Sequence, residues 1–391
     1  MARSVRSLRA ERMPESPFAT MNAAKIAARN NGLSVTDLSI GASDMPPPEA
    51  PLKAIAEAVW DPGTYTYSLW DSTRPLRDAA TAWHARRYGS NLDPERHAIP
   101  LIGAQEGFAN LLLATTDPGD TVLVTEPGYP NWFGAIAVAG VHRHPLPLTA
   151  ANDFLPDLDA VPSDVAHAAR LLVLSYPNNP TAGVATREFF ADALAFCDAY
   201  DLLLVHDFPY VDMVFGEGTA PSALEPPGAL DRTVELYSMS KSVHMSGFRA
   251  GFALGQPDAL AALKTVKSAI DFNPWLGIQR AAVAALGLPR ERIQQDVKRF
   301  EHRRDALLGA LRDGGLDVRT PQAGMFVWAP LPQGWGDSTA FALDLVARTG
   351  VAVAPGVAFG PSGEGWMRLA LVAEPARLAE AGRLIAQHRP T

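Results

Sequence analysis

TVELYSMSK, residues 233–241, is a mostly apolar run that ends in two serines and a lysine. A near-continuous apolar run is typical of a strand that is buried on both faces of a sheet. Lys241 therefore follows the end of a predicted strand, flanked by hydroxyl groups, and Arg249 comes shortly after it. A lysine in this position, beside a fixed cation, is suited to forming an imine next to a bound phosphate. The stretch predicts both a buried strand and a catalytic site at its end.

Comparable apolar runs recur through the middle of the chain, and helical patterns lie between them. The runs are residues 121–124, 171–174, 202–205, 234–237 and 250–254. One helical pattern covers residues 186–200, with Thr186 as its candidate N-cap. Strands that alternate with helices along a chain indicate βαβ units. We therefore predict the α/β class, with a mostly parallel sheet flanked by helices.

The chain after residue 275 shows a different pattern. A long amphipathic helix is indicated by apolar residues at 293, 297, 300, 307 and 311. It is followed by strand-like segments at 325–328, 351–353 and 367–372, and by a helical pattern over residues 376–388. These elements indicate a smaller α+β unit.

A chain of 391 residues is too long for a single compact core. We therefore predict a large domain over residues 48–285 and a small domain that combines residues 1–47 with residues 286–391. The first part of the small domain is an N-terminal arm. The proline run at 46–48 is predicted to cross rigidly between the domains.

The composition argues against several classes of partner. The net charge of −8 gives no reason to expect nucleic acid, and no apolar run approaches the ~20 residues that a bilayer requires. Cys197 is the only cysteine, which excludes an intrachain disulfide framework and thiolate metal clusters. The N-terminus carries Arg3, Arg6, Arg9 and Arg12 without an apolar segment, so we expect a flexible or partner-binding arm and not a secretory signal. We predict no metal, no membrane partner and a cytoplasmic location.

Polar segments follow three of the predicted strands. They are SYPNNPT at 175–181, HDFPY at 206–210 and SMSK at 238–241. Ligands of an open α/β sheet bind beyond the carboxyl ends of its strands. A fourth segment, LIGAQE at 101–106, leads into a helical pattern, and the free N–H groups of a helix start form a ready phosphate site. These segments predict one ligand site that includes a phosphate.

Taken in order, these motifs resemble those of the fold-type I aminotransferases of class I/II, in the aspartate aminotransferase superfamily. The resemblance spans residues 38–372 and rests on Asn-Asn-Pro-Thr, Asp-x-x-Tyr, Ser-x-x-Lys and the following arginine taken together. It implies an aspartate aminotransferase-like sheet of seven strands, pyridoxal 5′-phosphate as the cofactor, and transfer of an amino group between an amino acid and a 2-oxo acid. Ser72 and Ala182 stand where the family commonly has glycine.

The resemblance also implies a role for each matching residue. Lys241 would hold the cofactor as a Schiff base and carry the proton, Asp207 would pair with the pyridine nitrogen, and Tyr210 would bind the ring hydroxyl and tune the imine. The remaining cofactor contacts would come from Ala104, Gln105, Tyr129, Asn179, Ser238 and Arg249.

Substrate binding and assembly follow from the resemblance in the same way. Arg368 would clamp the substrate α-carboxylate with its planar fork, close to Gly41 and Asn179. Tyr67 matches the tyrosine that in this family reaches the phosphate of the neighbouring subunit. The resemblance therefore implies a homodimer with shared active sites.

Other functions stay open from the sequence alone. The same residues serve β- or γ-elimination, replacement and carbon–carbon bond formation, so such a reaction of the same cofactor is the main alternative. A non-catalytic sensor domain of a transcription regulator is a further hypothesis, but only about forty residues precede Ser39, too few for a DNA-binding domain. His244, close after Lys241, is either a structural histidine or one that tunes the site.

The identity of the substrate does not follow from these motifs. An aspartate-selective site would need a second cation for the distal carboxylate, and Arg74 is a candidate for it. Trp70, Trp132 and Trp275 flank matched segments, where they either line an apolar pocket or pack in the core. We therefore predict no particular amino donor.

Overall fold

The computed structural model describes residues 5–11, 13, 17–216 and 218–390. Arg3 and Arg12 of the N-terminal arm lie outside these ranges. The helices are α1 (Leu8–Glu11), α2 (Pro17–Asn30), α3 (Glu49–Val59), α4 (Arg74–Tyr88), α5 (Ala104–Thr115), α6 (Pro130–Ala139), α7 (Ser163–Ala168), α8 (Arg187–Tyr200), α9 (Met239–Ser242), α10 (Pro257–Ile270), α11 (Leu276–Leu286), α12 (Arg290–Asp313), α13 (Ser338–Thr349) and α14 (Pro375–Gln387). None of the helices in the described ranges is long and apolar enough to cross a bilayer.

The strands fall into one large sheet and two small ones. They are β1 (Thr36–Asp37), β2 (Ala98–Leu101), β3 (Thr121–Glu126), β4 (His142–Pro147), β5 (Ala169–Leu174), β6 (Leu203–Asp207), β7 (Thr233–Ser238), β8 (Gly251–Gly255), β9 (Phe326–Pro330), β10 (Val351–Ala352), β11 (Ala354–Pro355) and β12 (Trp366–Ala370). The large sheet has seven strands in the order β2-β8-β7-β6-β5-β3-β4. Only β8 runs against its neighbours. The predicted mostly parallel, seven-stranded sheet is confirmed.

Helices cover both faces of this sheet, which explains why its central strands are mostly apolar. In β5, Val173 belongs to the same apolar cluster as Phe108 of α5. The preceding residue, Leu172, points to the other face and belongs to the cluster that contains Phe190 of α8. Helix α8 begins where the sequence predicts, because the Thr186 hydroxyl accepts a hydrogen bond from the Phe189 amide at 3.1 Å.

Two strands of the large sheet are not among the apolar runs of the sequence. The strand β2 is short and contains Pro100, while the edge strand β4 contains Pro145 and Pro147 and is largely exposed. Proline is tolerated at sheet edges, where one side of the ladder needs no donor. The two strands lie at opposite edges of the sheet. Strand β4 is largely exposed, whereas β2 is buried and differs from the central strands in its short length and its proline.

The remaining strands form an antiparallel sheet, β11-β12-β9, and a parallel pair, β1-β10. Helix α12 packs against α14, and Leu307, Leu311 and Ile385 belong to one apolar cluster. This cluster also includes residues of α2, so the N-terminal and C-terminal parts of the chain share a core. The exact domain boundaries, at 47/48 and 285/286, stay predictions.

Candidate active site

A cavity of about 1460 Å³ lies at the carboxyl ends of the parallel strands, where the large sheet meets the C-terminal part of the chain. The site residues predicted from the sequence that line it are Gly41, Ala104, Gln105, Tyr129, Asn179, Asp207, Tyr210, Ser238, Lys241, Arg249 and Arg368. The fold therefore gathers residues from across most of the chain. Tyr67 is not among the described residues that line the cavity of its own chain.

Lys241 lies in the short helix α9, directly after β7. Ser238 caps this helix, since its hydroxyl accepts a hydrogen bond from the Ser240 amide at 3.1 Å. The Lys241 ammonium donates a hydrogen bond to the carbonyl oxygen of Gly41. Burial, together with the positive charges of nearby arginines, lowers the pKa of Lys241 to about 8. A lysine with such a pKa is a usable nucleophile and base near neutral pH.

Asp207 is the last residue of β6, and its carboxylate is buried. Oδ2 accepts a hydrogen bond from Nε1 of Trp132 at 3.0 Å. Oδ1 is buried and has no hydrogen-bond partner among the described residues. Burial raises the pKa of Asp207 to about 6, although the hydrogen bond from Trp132 acts in the opposite direction. A buried carboxylate oxygen without a partner is costly, so this position suits a cationic N–H group of a ligand.

The start of helix α5 and the loop after α9 form a cradle for an anion. The first N–H groups of a helix have no acceptors within it and point at an anion placed there. Gly103 precedes this helix with φ +88°, and a Cβ at that position would lie 2.3 Å from Nη2 of Arg249. Arg249 itself is held by a hydrogen bond from its Nη1 to the Ser246 carbonyl oxygen at 3.0 Å.

Arg368 of β12 is buried opposite this cradle. Its Nη1 donates to Oδ1 of Asn179 at 3.0 Å, and its Nη2 donates to the Ser39 carbonyl oxygen at 2.7 Å. The guanidinium also lies 4.2 Å from the ring centroid of Phe326. Nε is buried without a partner in the described part of the chain. Burial lowers the pKa of Arg368 to about 10, which still leaves it charged at neutral pH.

Two tyrosines complete the walls near the lysine. Tyr210 is buried, and its ring centroid lies 5.8 Å from Nζ of Lys241. The Tyr129 hydroxyl accepts a hydrogen bond from Nδ2 of Asn131 at 2.8 Å. Asn131 also donates to Oε1 of Gln105 at 2.7 Å, so these polar groups are held together beside the start of α5. Burial raises the pKa of both tyrosines, so their hydroxyls stay protonated.

Several residues considered from the sequence lie elsewhere. Tyr67 is 82% exposed. His244 is buried with Nε2 at 3.2 Å from Oδ2 of Asp296 and is not among the described residues that line the cavity, which favours a structural role. Arg74 pairs with Asp78 at 2.6 Å, also away from the described lining.

The hypothesis of a tryptophan-lined pocket is wrong for the described residues: none of Trp70, Trp132 and Trp275 lines the cavity. Trp132 instead donates a hydrogen bond to Asp207, and sequence reasoning missed this contact. The sequence contained one signal for it: Trp132 is three residues after Tyr129, so it lies in the first turn of α6, the helix that starts at the cavity. Trp70 stacks on Arg77 at 4.0 Å and is part of a surface cluster.

The groups present fit pyridoxal 5′-phosphate. The partnerless Oδ1 of Asp207 matches a protonated pyridine nitrogen, and the cradle between α5 and Arg249 matches a phosphate. Lys241 lines the same cavity and would supply the amine that bonds to the aldehyde carbon of such a group. The donor set of the cavity is therefore that of a pyridoxal-phosphate enzyme.

The fold and this donor set together define a transferase that depends on pyridoxal 5′-phosphate. Residues 34–383 match the family model of aminotransferase class I and II. The chain belongs to this family, and it transfers amino groups between an amino acid and a 2-oxo acid. Its relatives include LL-diaminopimelate aminotransferase 2 of a Nostoc species, 38% identical over 374 residues, which cover 95% of this chain and 96% of that one. The LL-diaminopimelate aminotransferase of Desulforudis audaxviator is 38% identical over 96% of both chains.

Solved structures give the same result. A probable N-succinyldiaminopimelate aminotransferase from Thermus thermophilus is 48% identical, with a TM-score of 0.92 over 95% of this chain and 100% of that one. A single mutant of Thermus thermophilus aspartate aminotransferase is 26% identical, with a TM-score of 0.91 over 99% of this chain and 100% of that one. The aspartate aminotransferase-like fold predicted from the sequence is therefore confirmed.

Proposed function

We propose that this aminotransferase acts on an amino acid of the diaminopimelate type. The observation that carries the proposal is similarity over nearly the whole chain to proteins named as diaminopimelate or N-succinyldiaminopimelate aminotransferases. These names differ in whether the distal amino group is free or succinylated, and both forms belong to the proposal. Elimination, replacement and carbon–carbon bond formation have no support in these relatives, all of which are named as aminotransferases.

In this proposal Lys241 would take the proton from the substrate α-carbon and deliver it to the carbon that was the aldehyde carbon of the cofactor. The cofactor, when bound, supplies an electron sink that makes this proton acidic. Burial and the arginines nearby lower the pKa of the Lys241 amine to about 8, so its neutral form is accessible near physiological pH. The Asp207 carboxylate holds the proton on the ring nitrogen, which maintains the sink. Trp132 keeps that carboxylate in place.

The other cavity residues bind and orient. Ala104 and Gln105, through the first amides of α5, bind the phosphate together with Ser238 and Arg249. Asn179 and Tyr210 would donate hydrogen bonds to the ring hydroxyl of the cofactor, and Tyr129 would pack against its ring. The substrate α-carboxylate binds to Arg368, near Asn179 and the backbone at Gly41. Support for these assignments comes from the joint presence of the residues around one cavity.

We further propose a homodimer in which Tyr67 reaches the phosphate of the other subunit. Tyr67 is 82% exposed, and its ring centroid lies 6.0 Å from that of Phe272, which is also exposed. Trp60, Tyr65 and Leu69, which are close to Tyr67 in the sequence, are exposed as well. Exposed apolar clusters of this kind mark interaction surfaces. Sedimentation equilibrium tests whether the protein is a dimer. Tyr67→Ala should weaken cofactor binding by about 10-fold or more, because it removes a charge-assisted hydrogen bond to the phosphate. A monomeric holoenzyme would contradict the proposal.

A cytoplasmic location and the two-domain division stay predictions.

The substrate is tested by comparing kcat/KM of the holoenzyme for LL-diaminopimelate, N-succinyl-LL-diaminopimelate, aspartate and tyrosine, each with 2-oxoglutarate as the acceptor. We expect one diaminopimelate form to exceed both other donors by about 100-fold or more, because a site built for a distal polar group discriminates strongly. Equal or higher kcat/KM for aspartate or tyrosine would contradict the proposal.

A further inference from the structure

The cavity extends past Tyr129 along helix α6 and onto the edge strand β4. The lining of this extension is Phe133, Gly134, Ala137, Val138, Val141 and Arg143. All of these residues except the last are apolar or lack a side chain. Among the described lining residues, Arg143 is also the one cation without a proposed role in binding the cofactor or the substrate α-carboxylate. The extension is therefore an apolar passage that contains a single guanidinium.

Arg143 is held in a defined orientation. Its Nη1 lies 2.7 Å from Oε2 of Glu126 on the neighbouring strand β3, and its side chain remains 28% exposed. The guanidinium also stacks 4.2 Å from the ring centroid of Phe133. Glu126 is itself fixed, because its Oε1 accepts a hydrogen bond from the Ser362 amide at 3.3 Å. The ion pair and the ring contact together restrict the rotation of this long side chain before any ligand binds.

Part of the guanidinium is free to bind a ligand. Arginine has five N–H donors, and in the described part of the chain Arg143 contacts only Glu126 and Phe133 through its guanidinium. Arg143 is among the described residues that line the cavity and Glu126 is not, so the cation faces the cavity and its carboxylate partner does not. The ion pair with Glu126 offsets the positive charge of Arg143. The guanidinium still has further N–H groups that point in fixed directions, and their planar arrangement matches a carboxylate.

We propose that Arg143 binds the distal carboxylate of the substrate, with Glu126 as its positioning residue. The substrate class is then an amino acid whose second carboxylate lies at the far end of a chain of methylene groups, which the apolar lining of α6 accommodates. The assignment rests on the proposed function, and it deepens it by naming the residue that recognises the far end of the substrate. Both the free and the succinylated form of diaminopimelate carry this distal carboxylate.

Two probes of equal chain length isolate the contact. They are 2-aminopimelate, which has the distal carboxylate, and 2-aminoheptanoate, which lacks it. In Arg143→Gln we expect kcat/KM for 2-aminopimelate and for LL-diaminopimelate to fall by about 10- to 100-fold, the usual effect of losing a hydrogen bond to a charged group. For 2-aminoheptanoate we expect a change below about 3-fold, within the error of such comparisons. Arg170→Gln on β5 is the matched control, because Arg170 is 56% exposed and outside the described lining.

A second variant separates recognition from damage. Arg143→Gln leaves the Glu126 carboxylate buried without its cation, which can disturb the fold. The double variant Glu126→Gln/Arg143→Gln removes both charges. We expect it to fold stably and to remain defective with 2-aminopimelate alone. Recovery of that activity in the double variant, or an equal loss with both probes, would overturn the assignment.

The probes also separate this inference from the proposed function. If aspartate or tyrosine is preferred over diaminopimelate, the proposed function fails, yet a loss in Arg143→Gln that is confined to 2-aminopimelate still supports the role of Arg143. If diaminopimelate is preferred and Arg143→Gln retains wild-type kcat/KM for it, the inference fails while the proposed function stands. Adding the N-succinyl form to the series shows whether the distal amino group matters in addition.

Discussion

Nε1 of Trp132 donates a hydrogen bond to Oδ2 of Asp207 across 3.0 Å, and this bond joins the first turn of α6 to the end of β6. Both groups are buried, and Oδ1 of the same carboxylate has no partner among the described residues. One oxygen is therefore fixed by the protein, and in the proposed function the other would bind the ring nitrogen of the cofactor. This division of the carboxylate orients Asp207 before the cofactor binds.

Trp132→Phe should move the acid limb of the pH–rate profile to higher pH. The hydrogen bond from Trp132 lowers the pKa of Asp207, so its loss leaves more of the carboxylate protonated near neutral pH. We also expect kcat to fall by about 10-fold, as for a lost hydrogen bond to a charged group. Trp70→Phe is the control, since Trp70 is away from the described lining. An acid limb that stays in place would contradict the positioning role.

Asp207 should make the stability of the cofactor-free protein depend on pH. Its pKa is raised by burial to about 6 from an ordinary value of 3.8, so the native state binds this proton more tightly than the unfolded chain. The stability that the protonated group contributes is complete below the unfolded pKa and is lost as the pH rises to about 6. The loss amounts to about 3 kcal/mol, at about 1.36 kcal/mol per pKa unit.

Asp207→Asn removes this titration. Denaturant unfolding of both cofactor-free proteins should show the variant gaining stability relative to wild type as the pH rises from about 4 to about 6.5, by up to about 3 kcal/mol. Any constant difference from altered packing cancels in this comparison. A difference in unfolding free energy that does not change with pH would show that Asp207 has an ordinary pKa.

Lys241 should react with pyridoxal phosphate in its neutral form. The rate at which the cofactor attaches to cofactor-free protein should therefore rise with pH and level off above a midpoint near 8, because burial and the positive charges of Arg368 and Arg249 lower the pKa. Arg368→Gln removes one of these charges and should move the midpoint upward. A midpoint near the ordinary lysine value of 10.5 in the wild type would contradict a lowered pKa.

Arg368→Lys tests the planar clamp for the α-carboxylate. A lysine keeps the charge but cannot donate to Asn179 and Ser39 while also presenting a fork to the substrate. We expect kcat/KM to fall by about 100-fold for all amino donors alike, including those without a distal carboxylate. Arg377→Lys on the exposed face of α14 serves as the control. A loss that depends on the distal group would instead place Arg368 at the far end of the substrate.

Much of the fold follows from the sequence because the central strands are apolar on both faces. The edge strand β4 escaped prediction because its prolines and its solvent exposure remove that pattern. The edge strand β2 is buried, but it is only four residues long and contains a proline. The main site residues follow strands, where polar segments interrupt apolar runs. The roles of Trp132 and the Ser39 carbonyl could not be predicted in this way. Trp132 bonds to Asp207, and the Ser39 carbonyl oxygen accepts from Arg368. Both contacts join residues that are far apart in the sequence, so no local sequence pattern indicates them.

The most direct test of the account is an absorbance titration of the holoenzyme and of Lys241→Ala. We predict that the wild type shows the absorbance band of lysine-bound pyridoxal phosphate, that LL-diaminopimelate or its N-succinyl form removes it, and that a 2-oxo acid restores it with release of the new amino acid. The variant should lack the band. A wild type without the band, or one that consumes the amino acid while a 2-oxo acid has no effect on the spectrum, would contradict amino transfer through Lys241.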